Sequence, residues 1–209
     1  MMKNQEEAAS ERVVEIGDWS LGESELGFVQ TDSLALVLLG IRQWPGPEIR
    51  IRGKAWGERS LRERERLRHQ IGCVYNSSSD SEEWLANLDL DENVLLAGGF
   101  DRSIDPAQLR SEMGRLARQF GMKQGIPRRR AAVTEPADQI RSQWVRALLP
   151  SPKFLLIFEN PLDGAPEESA SDFIAEVKKR LGEGATVVWV EESRPDFAAL
   201  GFEAVVDLR

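Results

Sequence analysis

The sequence predicts an α/β fold on a largely parallel sheet, and three observations carry that expectation. The segments FLLIF (154–158) and TVVWV (186–190) are unbroken apolar runs. Strands of that kind are covered on both faces, as in a parallel sheet flanked by helices. Between them lies SASDFIAEVKKRLG (169–182), an amphipathic helix ended by a glycine, which supplies a crossover connection. A predominantly helical stretch at about 76–131 interrupts the strands. The expectation is therefore one domain over 1–209, with a core from about 12–75 and 132–209 and an inserted helical lobe from about 76–131.

Along the chain, VVEI (13–16) and ELGFV (25–29) read as short strands with a turn near Gly22. LALVLLGI (34–41) is an apolar run that suits a buried helix or a strand, because periodicity alone does not separate them. WPGP (44–47) is a turn signal, and EIRIRGK (48–54) alternates like a strand with one wet face. SLRERERLR (60–68) places Glu and Arg at helical spacing, and IGCVY (71–75) reads as a buried strand. After the polar loop NSSSDSEE (76–83), helices are expected over 89–100 and 106–122. In the second, Leu109, Met113, Leu116 and Phe120 form one stripe. Pro127 and Arg128–Arg130 close this stretch, and 136–149 is a helix with proline at its start and Ile140, Trp144, Ala147 and Leu148 on one face. FAALG (197–201) reads as a short helix and EAVVDL (203–208) as a last strand.

Composition excludes several functions. A net charge of −8 disfavours nucleic acid as a partner, since phosphate would be repelled. No segment approaches the roughly 18 apolar residues of a membrane span, and the polar start MMKNQEEAASER does not resemble a signal peptide. The single cysteine, Cys73, excludes an internal disulfide or a cysteine metal cluster. The single histidine, His69, excludes a multi-histidine zinc site and sits among Arg62, Arg64, Arg66 and Arg68 on a charged, solvated face. A cytosolic protein without a metal centre is the expectation.

Four stretches, in order, resemble the ATP-binding (nucleotide-binding) domain of ABC transporters. VRALLPSPKFLLIFENP (145–161) is similar to the family's "ARALLxxPxLLLLDEPxxxLD". RHQIGCVYN (68–76), followed by LDENVLL (90–96), is similar to the Q-loop strand and the helix after it. GATVVWVEE (184–192) is similar to the switch strand "GxTVLxVTHD", and GESELGFV (22–29) to the strand leading into the phosphate loop. The resemblance implies a P-loop NTPase-like (RecA-like) core, mostly parallel, with an inserted helical lobe and N-terminal antiparallel strands.

The chemistry-bearing positions depart from that family. A phosphate loop needs glycines whose backbone N–H groups turn inward, a lysine for the β/γ oxygens and a Ser/Thr for Mg²⁺. Gln30-Thr31-Asp32-Ser33 stands there instead; Asp32 adds negative charge, and no GxxxxGK[ST] occurs anywhere in the chain. Only Ser33 offers a matching hydroxyl, and an ordinary strand-to-helix turn accounts for the segment. Aligned on Pro161, Glu159 takes the Walker B metal position and Asn160 the general-base position, where an amide cannot accept a proton. Asn160 is equally read as a turn residue before the proline. The D-loop aspartate is absent, with Gly164-Ala165-Pro166 in its place. The signature "LSGGQ" becomes Thr134-Glu135-Pro136-Ala137-Asp138, in which proline removes a donor and two carboxylates repel phosphate. Those same residues make a good helix start. Asn76 replaces the Q-loop glutamine, and Glu192 the switch histidine.

The resemblance, with these departures, implies an ATP-binding-protein-like subunit that does not hydrolyse ATP and takes neither ATP nor Mg²⁺. It would be a structural or regulatory partner of an ABC permease, on the cytoplasmic face of the inner or plasma membrane, as a homodimer or beside an active ATPase subunit. The cleft taking the permease's cytosolic loop would involve Tyr75, Asn76, Trp84 and Leu85, although Trp84 equally suits packing within the lobe. Two alternatives stay open: an ATP-hydrolysing subunit with atypical motifs that binds ATP and Mg²⁺, and a cytosolic adaptor on a P-loop-like fold with no transporter.

Overall fold

The computed structural model describes residues 12–16, 18–30, 38–39, 48–74, 84–99, 104–149, 151–158 and 160–208. Five parallel strands form the main sheet in the order β6-β7-β8-β3-β9. They are β3 (Leu26–Val29), β6 (Ile71–Val74), β7 (Phe154–Phe158), β8 (Thr186–Val190) and β9 (Val206–Leu208). A second, four-stranded antiparallel sheet runs β2-β1-β4-β5, from β1 (Arg12–Ile16), β2 (Trp19–Gly22), β4 (Ile49–Ile51) and β5 (Lys54–Ala55). The helices are α1 (Leu61–Arg68), α2 (Leu90–Gly99), α3 (Pro106–Gln119), α4 (Pro136–Leu148) and α5 (Glu167–Gly182). The mixed α/β architecture, parallel core and antiparallel N-terminal strands are those the sequence predicts.

The apolar runs explain the layers. Side chains alternate across a strand, so FLLIF sends Leu155 and Ile157 to one face of the sheet and Phe154, Leu156 and Phe158 to the other. The first face packs against the stripe of α3 (Leu109, Leu116), against Trp144 and Leu148 of α4, and against Phe173 and Val177 of α5. The second packs against Val14, Ile49 and Ile51 of the antiparallel sheet and Leu67 of α1. Both faces being covered, no polar alternation is needed. Trp144 is fully buried, stacks on Phe173 at 4.7 Å between ring centroids and meets Phe120 edge-on at 5.6 Å. Its indole N–H donates to the Pro161 carbonyl at 3.1 Å, so the apolar ring and its polar edge are both satisfied.

A charged network joins α3 to α5. The Glu176 carboxylate, 2% exposed, accepts from Arg180 Nε at 2.9 Å and from Gln119 Nε2 at 3.2 Å. Arg115 donates to Glu112 from Nε at 2.8 Å and from Nη2 at 2.7 Å, and its Nη2 reaches Glu176 at 3.4 Å. The Arg115 guanidinium holds the Glu112 carboxyl below the usual carboxylate range, against the opposing effect of burial.

Three local expectations are corrected. Trp19–Gly22 is a further strand that the sequence reading lacks, paired antiparallel with β1; the turn expected near Gly22 falls at Glu23 and Ser24, where Ser24 has φ 62°. The segment 48–54 is not one strand but a hairpin, reversed at Arg52 (φ 48°) and Gly53 (φ 71°), the left-handed pair that a tight two-residue turn demands. Residues 197–201 form turns rather than a helix, although Phe197 is buried against Phe28, Trp189 and Phe202. Most of the apolar run 34–41 lies outside the described residues; Leu38 and Leu39, which are described, are buried.

Candidate functional site

In a parallel sheet, ligands are met where the strands end at their carboxyl ends. Register aligns Val29 with Val190 and Phe158 with Val190, so the residues following β3, β7 and β8 emerge side by side. Gln30, Asn160, Glu191 and Glu192 all belong to that edge. The Glu191 amide continues the ladder by donating to the Val29 carbonyl at 3.2 Å. Gln30 reaches across and donates from Nε2 to the Glu192 carbonyl at 2.9 Å. The Glu192 side chain points into solvent.

Glu191, which the sequence reading passed over, occupies the centre of this edge. Its Oε1 accepts from the Trp189 indole N–H at 2.8 Å and from the Asn160 backbone N–H at 2.9 Å. Burial pushes this carboxyl above the usual range, and the two hydrogen bonds work in the opposite direction. Asn160 sits in the left-handed region at φ 52°, a conformation asparagine tolerates better than most residues. The turn reading of Asn160 is therefore realised: its backbone amide is engaged and its side chain is exposed. Nothing in the sequence singles out Glu191: like Glu192 it follows the apolar strand β8, and only the fold brings the Asn160 amide against it. Thr31, Asp32, Ser33, Asn76, Tyr75 and Glu159 lie outside the described residues. Among the described residues no group of three or more His, Cys, Asp or Glu side chains has the arrangement to hold a metal ion.

The positions matching the signature serve their own helix. Pro136 opens α4 with Glu135 as its N-cap. Thr134 is buried, and its hydroxyl donates to the Arg130 carbonyl at 2.9 Å. Gln139 returns from α4 to cap the Ala131 and Thr134 carbonyls at 3.0 Å each. Asp138 is paired with Arg141 at 2.7 Å, and Ala137 accepts at its carbonyl from Arg141 Nε. The Trp144–Pro161 hydrogen bond ties this same helix to the turn after β7.

At the start of the helical segment, Trp84 and Leu85 have opposite environments. Trp84 is 7% exposed and lies under the Arg146 guanidinium, 4.4 Å from the ring centroid. Leu85 is 55% exposed. Asn93 of α2 organises the loop between them and the helix: its Oδ1 accepts from the Leu85 amide at 2.8 Å, and its Nδ2 donates to the carbonyls of Leu85, Leu88 and Asp89. Leu85 is thus presented from a backbone held in place.

No family model matches the sequence, and no curated protein matches it. Solved structures do match the fold. One is the ATP-binding subunit of an ABC transporter, at TM-score 0.69 and 15% identity over 86% of this chain and 79% of that one. A second is an ATP-binding cassette in a dimeric post-hydrolysis state bound to ADP and Pi, at TM-score 0.70 and 15% identity over 95% and 93% of the two chains. A third is a component of the cbiONQ ABC transporter complex from Clostridium perfringens, at TM-score 0.64 and 13% identity over 88% and 80%. The chain has the fold of ABC transporter ATP-binding subunits, and no helix among the described residues is long and apolar enough to cross a membrane.

Proposed function

We propose that this chain is an ABC ATP-binding-subunit-like protein that does not hydrolyse ATP and that serves as a structural or regulatory partner of an ABC permease. The observation that carries the reading is the make-up of the sheet edge. A phosphate-transferring site needs a carboxylate free to polarise water, a lysine and an open cradle of N–H groups. At this edge Asn160 stands where a base is needed, its amide is taken by Glu191, and no lysine follows Gln30. Of the signature positions, likewise, the Thr134 hydroxyl is engaged by the Arg130 carbonyl and Asp138 by Arg141, and Pro136 has no amide to donate. These features support a chain that takes neither ATP nor Mg²⁺.

The fold supports docking. One fold neighbour is part of a transporter complex and another is a dimer, which supports a partner of that kind for this fold. Leu85 is an exposed apolar residue on the Asn93-held loop, next to the buried Trp84; Tyr75 and Asn76, the other docking positions of this proposal, lie outside the described residues. The partner is a cytosolic loop of an ABC permease, with the chain as a homodimer or beside an active ATPase subunit at the cytoplasmic side of the membrane. In this reading the domain consists of a core at about 12–75 and 132–209 and a helical lobe at about 76–131. Titration with a fluorescent ATP analogue and Mg²⁺ tests the first half: no saturable binding at micromolar concentration is expected, and tight binding would sink it. Co-purification with a permease encoded beside the gene tests the second. Substitution Leu85→Asp should weaken that capture at least tenfold, because truncating a central apolar anchor removes much of an interface's energy.

A further inference from the structure

We propose that Glu191 is an internal anion: the chain's own carboxylate fills a two-donor anion site at the end of the sheet and ties β7 to β8. Two N–H donors converge on one oxygen, the Trp189 indole at 2.8 Å and the Asn160 amide at 2.9 Å. They come from different strands, and each is aimed by a constraint of its own. Trp189 is buried in the strand, held edge-on to Phe197 at 5.6 Å between centroids. Asn160 is fixed by a left-handed turn at φ 52°. Convergent, preoriented N–H groups at an exposed sheet end are what an oxyanion ligand requires. Here the occupant is covalently attached, so it is present at a high effective concentration and excludes external oxyanions. The inference extends the function proposed above, because it gives a physical reason why phosphate- or carboxylate-bearing ligands are kept off this edge; it does not depend on docking.

The side chain that fills the site is, beyond its β-carbon, the size of acetate. Truncation by Glu191→Ala therefore leaves an opening that free acetate fits, with inorganic phosphate as the larger comparison. The readouts are the Trp189 indole and Asn160 amide resonances and their hydrogen-exchange rates. In the unaltered protein both protons should be protected, and neither should shift in millimolar acetate or phosphate. In Glu191→Ala exchange should rise at least tenfold, and acetate should restore the unaltered positions saturably. Glu191→Gln, which keeps an acceptor oxygen but not the charge, should remain protected without responding to acetate. Unchanged exchange in Glu191→Ala, or an acetate response equal to that of the unaltered protein, would overturn the proposal. Should Glu191→Ala not fold, the unaltered protein decides: an indole or amide proton that exchanges freely, or that shifts with acetate, overturns it. ATP binding by the unaltered protein would overturn the function proposed above, yet would leave these exchange rates as the separate test of the latch.

Discussion

Single side chains set the largest local energies. Glu176 and Arg180 are both buried, and each neutralises the other within a network that also holds Arg115 and Gln119. Removing one charge strands the other in a poorly solvated place, so Glu176→Ala should cost about 3 kcal/mol in urea unfolding. Removing Trp144 would empty the space between Phe120 and Phe173 and orphan the Pro161 carbonyl, and Trp144→Ala should lose about 4 kcal/mol. The acid side is governed by groups such as Glu63. Lys54 and the Ser60 cap lower its carboxyl from 4.5 to about 2. Because the folded value is depressed, its contribution is complete above the ordinary carboxylate range and is lost as pH falls from 4.5 toward about 2. Glu63→Gln should flatten the acid loss of α1 helicity in that window, read by amide exchange against the parent. The residues that carry packing were legible in the sequence: Trp144 and Ile140 fall on one helical face and are buried. Glu191 was not, because a carboxylate after an apolar strand reads as a solvated end, and only the fold brings Asn160 from another strand against it.

At the scale of elements, two backbone features carry predictions. A β-carbon on Gly72 would meet the Ala147 carbonyl oxygen at 2.2 Å and Pro152 Cγ at 2.9 Å. β6 therefore lies against the end of α4 closely enough to exclude any side chain, and Gly72→Ala should cost about 2 kcal/mol or more in denaturant unfolding. The reversed hairpin between β4 and β5 places Arg52 at φ 48°, a conformation arginine adopts at a cost. Asparagine or glycine suits that place, so Arg52→Gly should stabilise the protein by about 0.5–1 kcal/mol, seen as a raised denaturation midpoint. The same hairpin shows where pattern reading stops. EIRIRGK alternates correctly on both arms, and the break comes from backbone handedness at Arg52-Gly53, which alternation does not encode. The strand Trp19–Gly22 is hidden for a different reason: only four residues long, it is stabilised by its partner β1 rather than by its own pattern. The parallel strands were legible for the opposite reason, since burial on both faces forces a continuous apolar run.

For the whole molecule, the fold class followed from the sequence, and the fold neighbours share the fold at only 13–15% identity. The proposal of docking without nucleotide chemistry rests on that shared fold together with the polar residues this chain carries at its sheet edge.

The sheet order also bears on how the chain is made. β3 lies between β8 and β9, strands whose paired residues come 161 and 179 positions after it in the sequence. During synthesis an apolar strand whose four residues are all buried in the finished protein has no partner until most of the polypeptide has left the ribosome. Non-local pairing of this kind slows folding and leaves an unpaired edge available to other nascent chains. Production of this protein should therefore be limited by aggregation during translation, and slower elongation or added chaperone should raise its soluble yield more than any substitution on its finished surface.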